Sequence, residues 1–299
     1  MICALIGTSK FSEVHLTELI RIGAKQLVII SRDISKSTKI CQKYKSKYPK
    51  VKIYPSKIDI LWKKKFDLID ICSSNYVHDK HLKYISGLKS IILVEKPIIS
   101  LLKYQRNYKI FLNKLYKENK KVVVCYPMIF LSKKFKKIFK NKTDVNNFKL
   151  YFSTGGRYNK DQICVDLMPH ALSFLISFFK KLNFKKKINI KKIKVKKNSW
   201  SCYFTFQKIN FYFDFFEKIG QKTLLTIELN DKKITRSTKK KKNKFINFLE
   251  YKNKNKTIKN PMTEFFQDLF KNKNNVNFFR RNKSLTLLLM KINYQFLFR

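Results

Sequence analysis

Lys96 follows an apolar run, Ser90–Val94, and precedes Pro97. The run reads as a buried strand. Pro97 has no N–H to give a sheet ladder, so the strand stops there. Lys96 therefore falls at a strand's carboxyl end, the edge where open α/β sheets bind ligands. The alternative is a lysine that merely begins a loop in a lysine-rich chain. Asp166 and His170 are four residues apart in a segment of helical spacing, Cys164–Lys180. That spacing puts both on one helical face. A carboxylate near an imidazole orients it and raises its pKa, which suits a general acid or base. The alternative is an aspartate favoured by the helix dipole, with a core histidine beside it.

Two further stretches suit a dinucleotide. Gly7-Thr8-Ser9-Lys10-Phe11-Ser12 lies between a strand and a helix, where a helix N-terminus offers N–H groups to a pyrophosphate. Of the usual G-x-G-x-x-G only Gly7 is kept; Ser9 and Ser12 take the other two places. A Cβ at Ser9 crowds the approach of phosphate, while its hydroxyl can itself bond one. After the second strand, Ser31-Arg32 replaces the acidic residue that bonds a ribose 2′-OH. Serine followed by arginine suits a 2′-phosphate, which favours NADP over NAD; the alternative is an ordinary polar loop. The Gly155-Gly156-Arg157 turn either admits a ligand close to the chain or is simply a turn.

The elements that would position these residues alternate at first. Strands are expected at Ile2–Ile6, Gln26–Ser31, Val51–Tyr54, Leu68–Ser73, Ser90–Val94 and Val122–Tyr126. Helical patterns fall between them, ending at Gly23, over Asp33–Tyr48 with Ser35 as its cap, over Val77–Ile85, and over Leu101–Asn119. This alternation indicates βαβ units and a parallel sheet. After about Tyr126 the character changes. A helix near Ser132–Phe139, a strand near Phe148–Ser153 and the Cys164–Lys180 helix precede alternating strands at Trp200–Gln207, Asn210–Phe216, Thr223–Leu229 and Lys232–Ser237. Turns at Lys208-Ile209, Gly220-Gln221 and Asn230-Asp231 suggest an antiparallel meander. Phe204 and Phe206 share one face of their strand, and Phe211, Phe213 and Phe215 share one face of the next, whether core or open. Lys239–Lys242 reads as a solvated loop. Helices at Met262–Phe270, started by Asn260-Pro261, and at Ser284–Phe296 close the chain. The fold class is α/β, with a Rossmann-type domain over 1–122. An α+β domain with a large, mostly antiparallel sheet follows over 123–299.

Composition narrows the function. The 299 residues carry a net charge of +48 and are 44% hydrophobic, a globular balance. The lysines run along the whole chain, outnumber arginines, and rise together with Asn, Ile, Phe and Tyr, the bias of an A+T-rich gene. Specific nucleic-acid binding is therefore not expected, although non-specific sticking to polyanions at low salt is. The longest apolar helix candidate, Ala171–Phe179, is too short to cross a bilayer. No basic region precedes the first apolar stretch, so a cytoplasmic protein is expected, without membrane contact. Six scattered cysteines form no CxxC pair and read as buried thiols. His78 and His81 lack accompanying ligands, so no metal site is expected.

Several motifs then line up in order, and the chain resembles the Gfo/Idh/MocA family of nicotinamide-dependent oxidoreductases through about residue 180. His15 sits where the family's first loop, G-x-G-x-x-G-x-x-H, places its histidine. Ser73-Ser74-Asn75-Tyr76-Val77-His78 is similar to its T-P-N-x-x-H. Glu95-Lys96-Pro97 matches its E-K-P. Gly155–Ser173 resembles its G-G-x-x-x-D-x-G-x-H-x-x-D, keeping Asp166 and His170 but with Leu167-Met168-Pro169 between them and Ser173 in place of the last acid. The resemblance implies a Rossmann domain whose cofactor, NADP or NAD, is held by Gly7, Thr8, Ser9, Phe11, Ser31, Arg32, Ser73, Asn75, His78 and Glu95. The nicotinamide would lie between the domains. Lys96 would bond the substrate oxygen and His170 would carry its proton, with Asp166 orienting His170 or bonding substrate. An ammonium beside a developing alkoxide stabilises its charge. The expected function is hydride transfer between nicotinamide and a carbinol or carbonyl carbon of a sugar or sugar derivative. The rival is a catalytically degenerate relative used as a binding or regulatory protein, on the strength of the altered glycine loop. Relatives commonly associate through the open face of the second sheet, so a homo-oligomer is expected.

Overall fold

The computed structural model describes residues 1–139, 145–241, 244–252 and 254–298. They form two compact units, Met1–Cys125 with Phe265–Leu287, and Tyr126–Glu264 with the residues from Leu288 onward.

The first unit alternates β1 (Ile2–Ile6), α1 (Lys10–Arg21), β2 (Gln26–Ile30), α2 (Ile34–Lys47), β3 (Lys52–Ser56), α3 (Ile60–Lys63), β4 (Leu68–Ile71), α4 (His78–Ile85), β5 (Ile91–Val94), α5 (Leu101–Tyr104), α6 (Tyr108–Glu118) and β6 (Val122–Val124). The sheet order is β3-β2-β1-β4-β5-β6, and every pair is parallel. Winding proceeds outward from β1 to β3, and then the chain restarts at β4 on the other side of β1. The crevice outside the carboxyl ends of β1 and β4 is thus the topological switch point. Every residue of β4, β5 and β6 is buried, as expected of strands covered on both faces. At the sheet's edge, Asn282 imitates a further strand. Its Oδ1 accepts from the Val124 N–H at 2.9 Å, and its Nδ2 donates to the Val124 carbonyl at 3.2 Å.

Two expectations are corrected in this unit, and one short helix was not foreseen. Asp33 caps α2, accepting from the Lys36 N–H; Ser35 lies inside the helix. The single helix expected over Leu101–Asn119 is broken at Gln105, whose φ is +43°. Its first turn is tied to α4, where Asp79 accepts from Lys103 Nζ at 2.7 Å and Tyr104 OH at 2.9 Å, and the chain turns before α6. Helix α3, with only four residues, is too short to show a period.

The second unit contains α7 (Met128–Phe139), β7 (Asn147–Thr154), α8 (Asp161–Phe178), β8 (Asn189–Val195), β9 (Ser199–Phe206), β10 (Ile209–Glu217), β11 (Leu224–Leu229), β12 (Lys232–Lys241), β13 (Lys244–Tyr251) and β14 (Lys254–Ile258). Helices α9 (Pro261–Lys271) and α10 (Val276–Leu297) follow and contribute to both units. The sheet order is β14-β13-β12-β11-β7-β10-β9-β8. The expected meander is interrupted: β7 lies between β10 and β11, parallel to β10 and antiparallel to β11. The first hairpin turn is Gln207-Lys208, one residue earlier than expected, with φ of +47° and +67°. Lys239–Lys241 complete β12 instead of forming a loop; Lys242 lies outside the described residues. Phe204, Phe206, Phe211, Phe213 and Phe215 are all on the core face, each at most 3% exposed. The Phe148 ring meets Phe174 and Phe178 of α8 at 6.3 and 6.2 Å. The opposite face is left to Tyr203 and Tyr212, stacked at 4.6 Å. Among the described residues no helix is long and apolar enough to cross a membrane, and all six cysteines are buried thiols outside any disulfide.

Candidate active site

The parallel strands of the first unit bring Gly7, Ser31, Ser73 and Glu95-Lys96 to one edge of the sheet. Gly7 follows β1 with φ of +137°, and a Cβ there would meet the Cys72 carbonyl oxygen at 2.5 Å. Only glycine fits. Ser9 then caps α1. Its Oγ accepts from the Ser12 N–H at 3.1 Å, while Ser12 Oγ accepts from the Ser9 N–H at 3.2 Å and donates to the Cys72 carbonyl at 3.0 Å. The two serines that replace glycines thus form a reciprocal capping box. The early N–H groups of a helix lack intrahelical partners. With that of Ser12 taken by Ser9, those of Lys10 and Phe11 remain to face an anion.

The other strand ends are also organised. Ser31 Oγ accepts from the Asp33 N–H at 3.2 Å, and Arg32 is exposed. His78 is buried between two loops, with Nδ1 at 2.9 Å from the Pro97 carbonyl and Nε2 at 3.0 Å from the Ser73 carbonyl. Burial holds its pKa below the ordinary value against those two acceptors. Ser73 Oγ and His81 Nδ1 are 3.0 Å apart. Burial, with the nearby His78 and Arg32, pushes His81 down to about 4, so it is neutral. Asn75 is 7% exposed, and its Oδ1 has no partner among the described residues. An orphaned buried acceptor after β4 and, after β1, a helix N-terminus with N–H groups to spare fit a dinucleotide.

His15 occupies the centre of a buried charged cluster. Its Nδ1 donates to Asp70 Oδ2 at 2.8 Å and its Nε2 to Glu95 Oε1 at 3.0 Å, with the His15 and Asp70 side chains fully buried. Ionised carboxylates only accept, so two such partners require an imidazolium; burial holds the Asp70 carboxyl above its ordinary value, with the charge and hydrogen bond of His15 opposing it. Burial alone would lower the His15 pKa; the charge and hydrogen bond of Asp70, together with Cys72 and Cys125, outweigh it and hold His15 well above its ordinary value. Glu95 is held low: burial opposes ionisation, but the hydrogen bond and charge of His15 prevail. Phe11 and Phe266 close the imidazole in, each ring centroid 5.2 Å away. The cluster ties the phosphate-loop helix, the middle of β4 and the end of β5 together just below half-buried Lys96.

His15, Glu95 and Cys125 also bring one ligand atom each within 4.8 Å of one another. Both His15 nitrogens are engaged with carboxylates, and burial, with the charge of Glu95, pushes the Cys125 thiol well up. An imidazolium has no free electron pair for a cation and a protonated thiol is a poor ligand, so the cluster reads as a brace.

In the second unit, α8 carries Asp166 and His170, both half-buried, one turn apart. Pro169 inside α8 removes the backbone hydrogen bond to the Val165 carbonyl. Phe152 meets the His170 ring edge-on at 5.6 Å, and Ser173 Oγ donates to the His170 carbonyl at 3.0 Å. Facing Asp166 is Glu217, the last residue of β10, which sequence reasoning missed. Glu217 is 1% exposed. Its Oε1 accepts from Thr154 Oγ1 and its Oε2 from the Tyr158 N–H, both at 3.0 Å, and burial, with the charge of Asp166, pushes its carboxyl up to about 7. This explains the second glycine of the Gly155-Gly156 pair. A Cβ on Gly156 would fall onto the Glu217 carboxylate. Gly156→Ala is expected to cost about 1–3 kcal/mol in urea unfolding, and a loss under about 0.3 kcal/mol would mean that Glu217 sits elsewhere.

A family described as oxidoreductases with an NAD-binding Rossmann fold matches residues 1–126. Residues 1–126 are thus similar to the Gfo/Idh/MocA oxidoreductase family. No curated protein matches the chain in sequence. Solved structures match nearly its whole length in fold. A dehydrogenase from Thermus thermophilus, solved with NAD and UDP-GlcNAcA, gives a TM-score of 0.69 at 11% identity, covering 100% of this chain and 95% of that one. A 3-ketoreductase from Actinomadura kijaniata, solved with NADP, gives 0.68 at 8% identity over 98% and 95%. A biliverdin reductase from Synechocystis, solved with biliverdin and NADP+, gives 0.64 at 9% over 97% and 96%. Identities this low establish the fold alone.

Within the Gfo/Idh/MocA frame, Gly7, Ser31, Ser73 and Lys96 share the carboxyl edge of the Rossmann sheet, and His15 and Glu95 lie buried beneath it. Asp70, Cys125 and Glu217 are additions from the structure. Asp70 had a visible signal, a lone carboxylate inside the apolar strand Leu68-Ile69-Asp70-Ile71. Glu217 had none, because its partners come from β7, the turn after it and α8.

Proposed function

We propose that the chain is an NAD(P)-dependent oxidoreductase acting on a carbinol or carbonyl carbon of a sugar or sugar derivative. The observation that carries this reading is Lys96 at the carboxyl end of β5, directly after Glu95, in an oxidoreductase-family Rossmann domain. The backbone N–H groups of Lys10 and Phe11 bind the diphosphate at the helix N-terminus. Asn75 accepts a hydrogen bond from the cofactor. Arg32, exposed next to the end of β2, pairs with a 2′-phosphate. When bound, nicotinamide supplies the hydride acceptor or donor at its C4. The Lys96 ammonium donates to the substrate oxygen and stabilises the alkoxide as it forms. His170 takes the hydroxyl proton on oxidation and returns it on reduction, with Asp166 keeping its ring oriented.

Arg32→Ala tests the cofactor assignment. It is expected to weaken NADPH binding about tenfold, the loss of roughly one charge-assisted hydrogen bond. NADH affinity should stay within about twofold. Equal losses for both would remove the 2′-phosphate role. A second reading, a relative without turnover that serves as a binding protein, is favoured by the Ser9–Ser12 capping box, because the Ser9 hydroxyl serves the helix and its Cβ occupies the loop. It predicts no nicotinamide binding at all. Self-association through the uncovered face of the second sheet, around Tyr203 and Tyr212, is also proposed. Light scattering should then give at least twice 35.9 kDa, and Tyr212→Lys should return the monomer.

A further inference from the structure

Arg236 has no role in the reading above, yet it stands on the core face of the second sheet, where a charge is costly. Strand pairing sets it in one row with Phe215, Phe152, Leu225 and Leu249, on β10, β7, β11 and β13. Phe152, Leu225 and Leu249 are buried, and Phe152 is the ring that meets His170 edge-on. Arg236 therefore lies two strand spacings from the residue that touches His170, about 10 Å along the same face. Its guanidinium is committed on one edge. Nε and Nη2 donate to Asn247 Oδ1 at 3.2 and 2.6 Å, and Thr238 Oγ1 donates to the same oxygen at 3.2 Å. Three donors on one oxygen fix the buried Asn247 amide, which in turn fixes the fork. The N–H groups of Nη1 and the second N–H of Nη2 have no partner among the described residues.

We propose that Arg236 binds the acid group of the substrate, a carboxylate or phosphate held by the free end of its fork while the reacting carbinol lies at His170. The substrate is then a sugar acid or sugar phosphate rather than a neutral sugar. The placement of the carbinol rests on the oxidoreductase reading; the anion site does not. One N–H on each terminal nitrogen matches two oxygens of a carboxylate or phosphate. No carboxylate of the described residues fills that place: burial pulls the Arg236 pKa down to about 10, and no acidic group opposes it. A brace for Asn247 could be neutral. A full charge, half-buried on an apolar face, is costly unless an anion meets it. Asn247 and Thr238 are positioning residues, aiming the fork without touching the anion. The exposed lysines of this chain do not provide such a site, since each is a hydrated point charge on a flexible stem.

The test is a calorimetric titration of the full chain with glucuronate, glucose 6-phosphate and glucose, with and without NADPH. Salt at about 0.15 M screens the exposed lysines. Glucuronate or glucose 6-phosphate should bind at least about tenfold tighter than glucose, the worth of a charge-assisted pair. The tighter of the two identifies the acid as carboxylate or phosphate. Arg236→Gln should bring that acid down to the level of glucose. Arg236→Lys keeps the charge but loses the fork, and should lose most of the preference. A merely structural Arg236 would shift the thermal midpoint and leave the preference in place. Should Arg236→Gln not fold, Arg236→Lys decides. Acids bound no tighter than glucose by the native protein, or a preference that survives in a folded variant, overturns the proposal. An acid preference that depends on Arg236 in a protein that binds no NADPH would count against the oxidoreductase reading alone. NADPH binding without an acid preference would count against the anion site alone.

Discussion

Replacing His15 with leucine is expected to cost about 3–5 kcal/mol of stability in denaturant unfolding, with the transition of the N-terminal unit moving most. Leucine matches the volume but not the charge. Asp70 and Glu95 would be left buried without the imidazolium that each now accepts from, and breaking a buried pair from one side leaves an uncompensated charge. The triple change His15→Leu, Asp70→Asn and Glu95→Gln should recover much of the loss, since no buried charge remains. The pH dependence combines opposing contributions: Asp70 is raised by burial, so stability falls as pH rises from its ordinary value of 3.8 through the raised one. His15 is raised in the fold, so its contribution is whole below its ordinary value of 6.5 and is lost as pH climbs through the raised value. Glu95 is lowered, so its contribution is present above its ordinary value of 4.5 and is lost as pH falls through the lowered one. A His15→Leu loss under about 1 kcal/mol would mean that the cluster is not the brace described.

Lys96→Met should lower turnover on a sugar substrate by about 10²–10³-fold, the range for removing one donor to a developing oxyanion. The thermal midpoint should stay within about 2 °C, because Lys96 is half-buried and its stem is replaced by one of similar length. An equal loss in kcat and kcat/KM would place the interaction in the transition state; a rise in KM alone would reduce Lys96 to a binding contact. Unchanged kcat would remove it from the chemistry.

The Rossmann half was legible because its signals are local. Apolar runs broken by Gly7, Gly23 and Pro97 give strands and crossovers, and parallel order follows from the alternation. What stayed hidden depends on long-range partners. The insertion of β7 between β10 and β11 pairs residues some sixty positions apart, Phe152 with Phe215 among them, so adjacency in sequence suggested a meander. Lys239–Lys241 looked like a loop by charge, but β13 supplies a pairing partner that charge does not reveal. The face of the phenylalanines was undecided because alternation separates two faces without naming the core; α8 decides it through Phe174 and Phe178. In the site, Lys96, Asp166 and His170 could be named from spacing. The buried carboxyls that hold them, Asp70 and Glu217, belong to other strands.

The most direct measurement is a titration of the purified protein with NADPH and then NADH, followed by nicotinamide fluorescence. The account predicts saturable binding of NADPH in the micromolar range, with NADH weaker, because the α1 N-terminus keeps free N–H groups despite Ser9, and Arg32 stands ready for a 2′-phosphate. No saturation by either cofactor at millimolar concentration would contradict it, and Lys96 and His170 would then be remnants on a scaffold that serves another purpose.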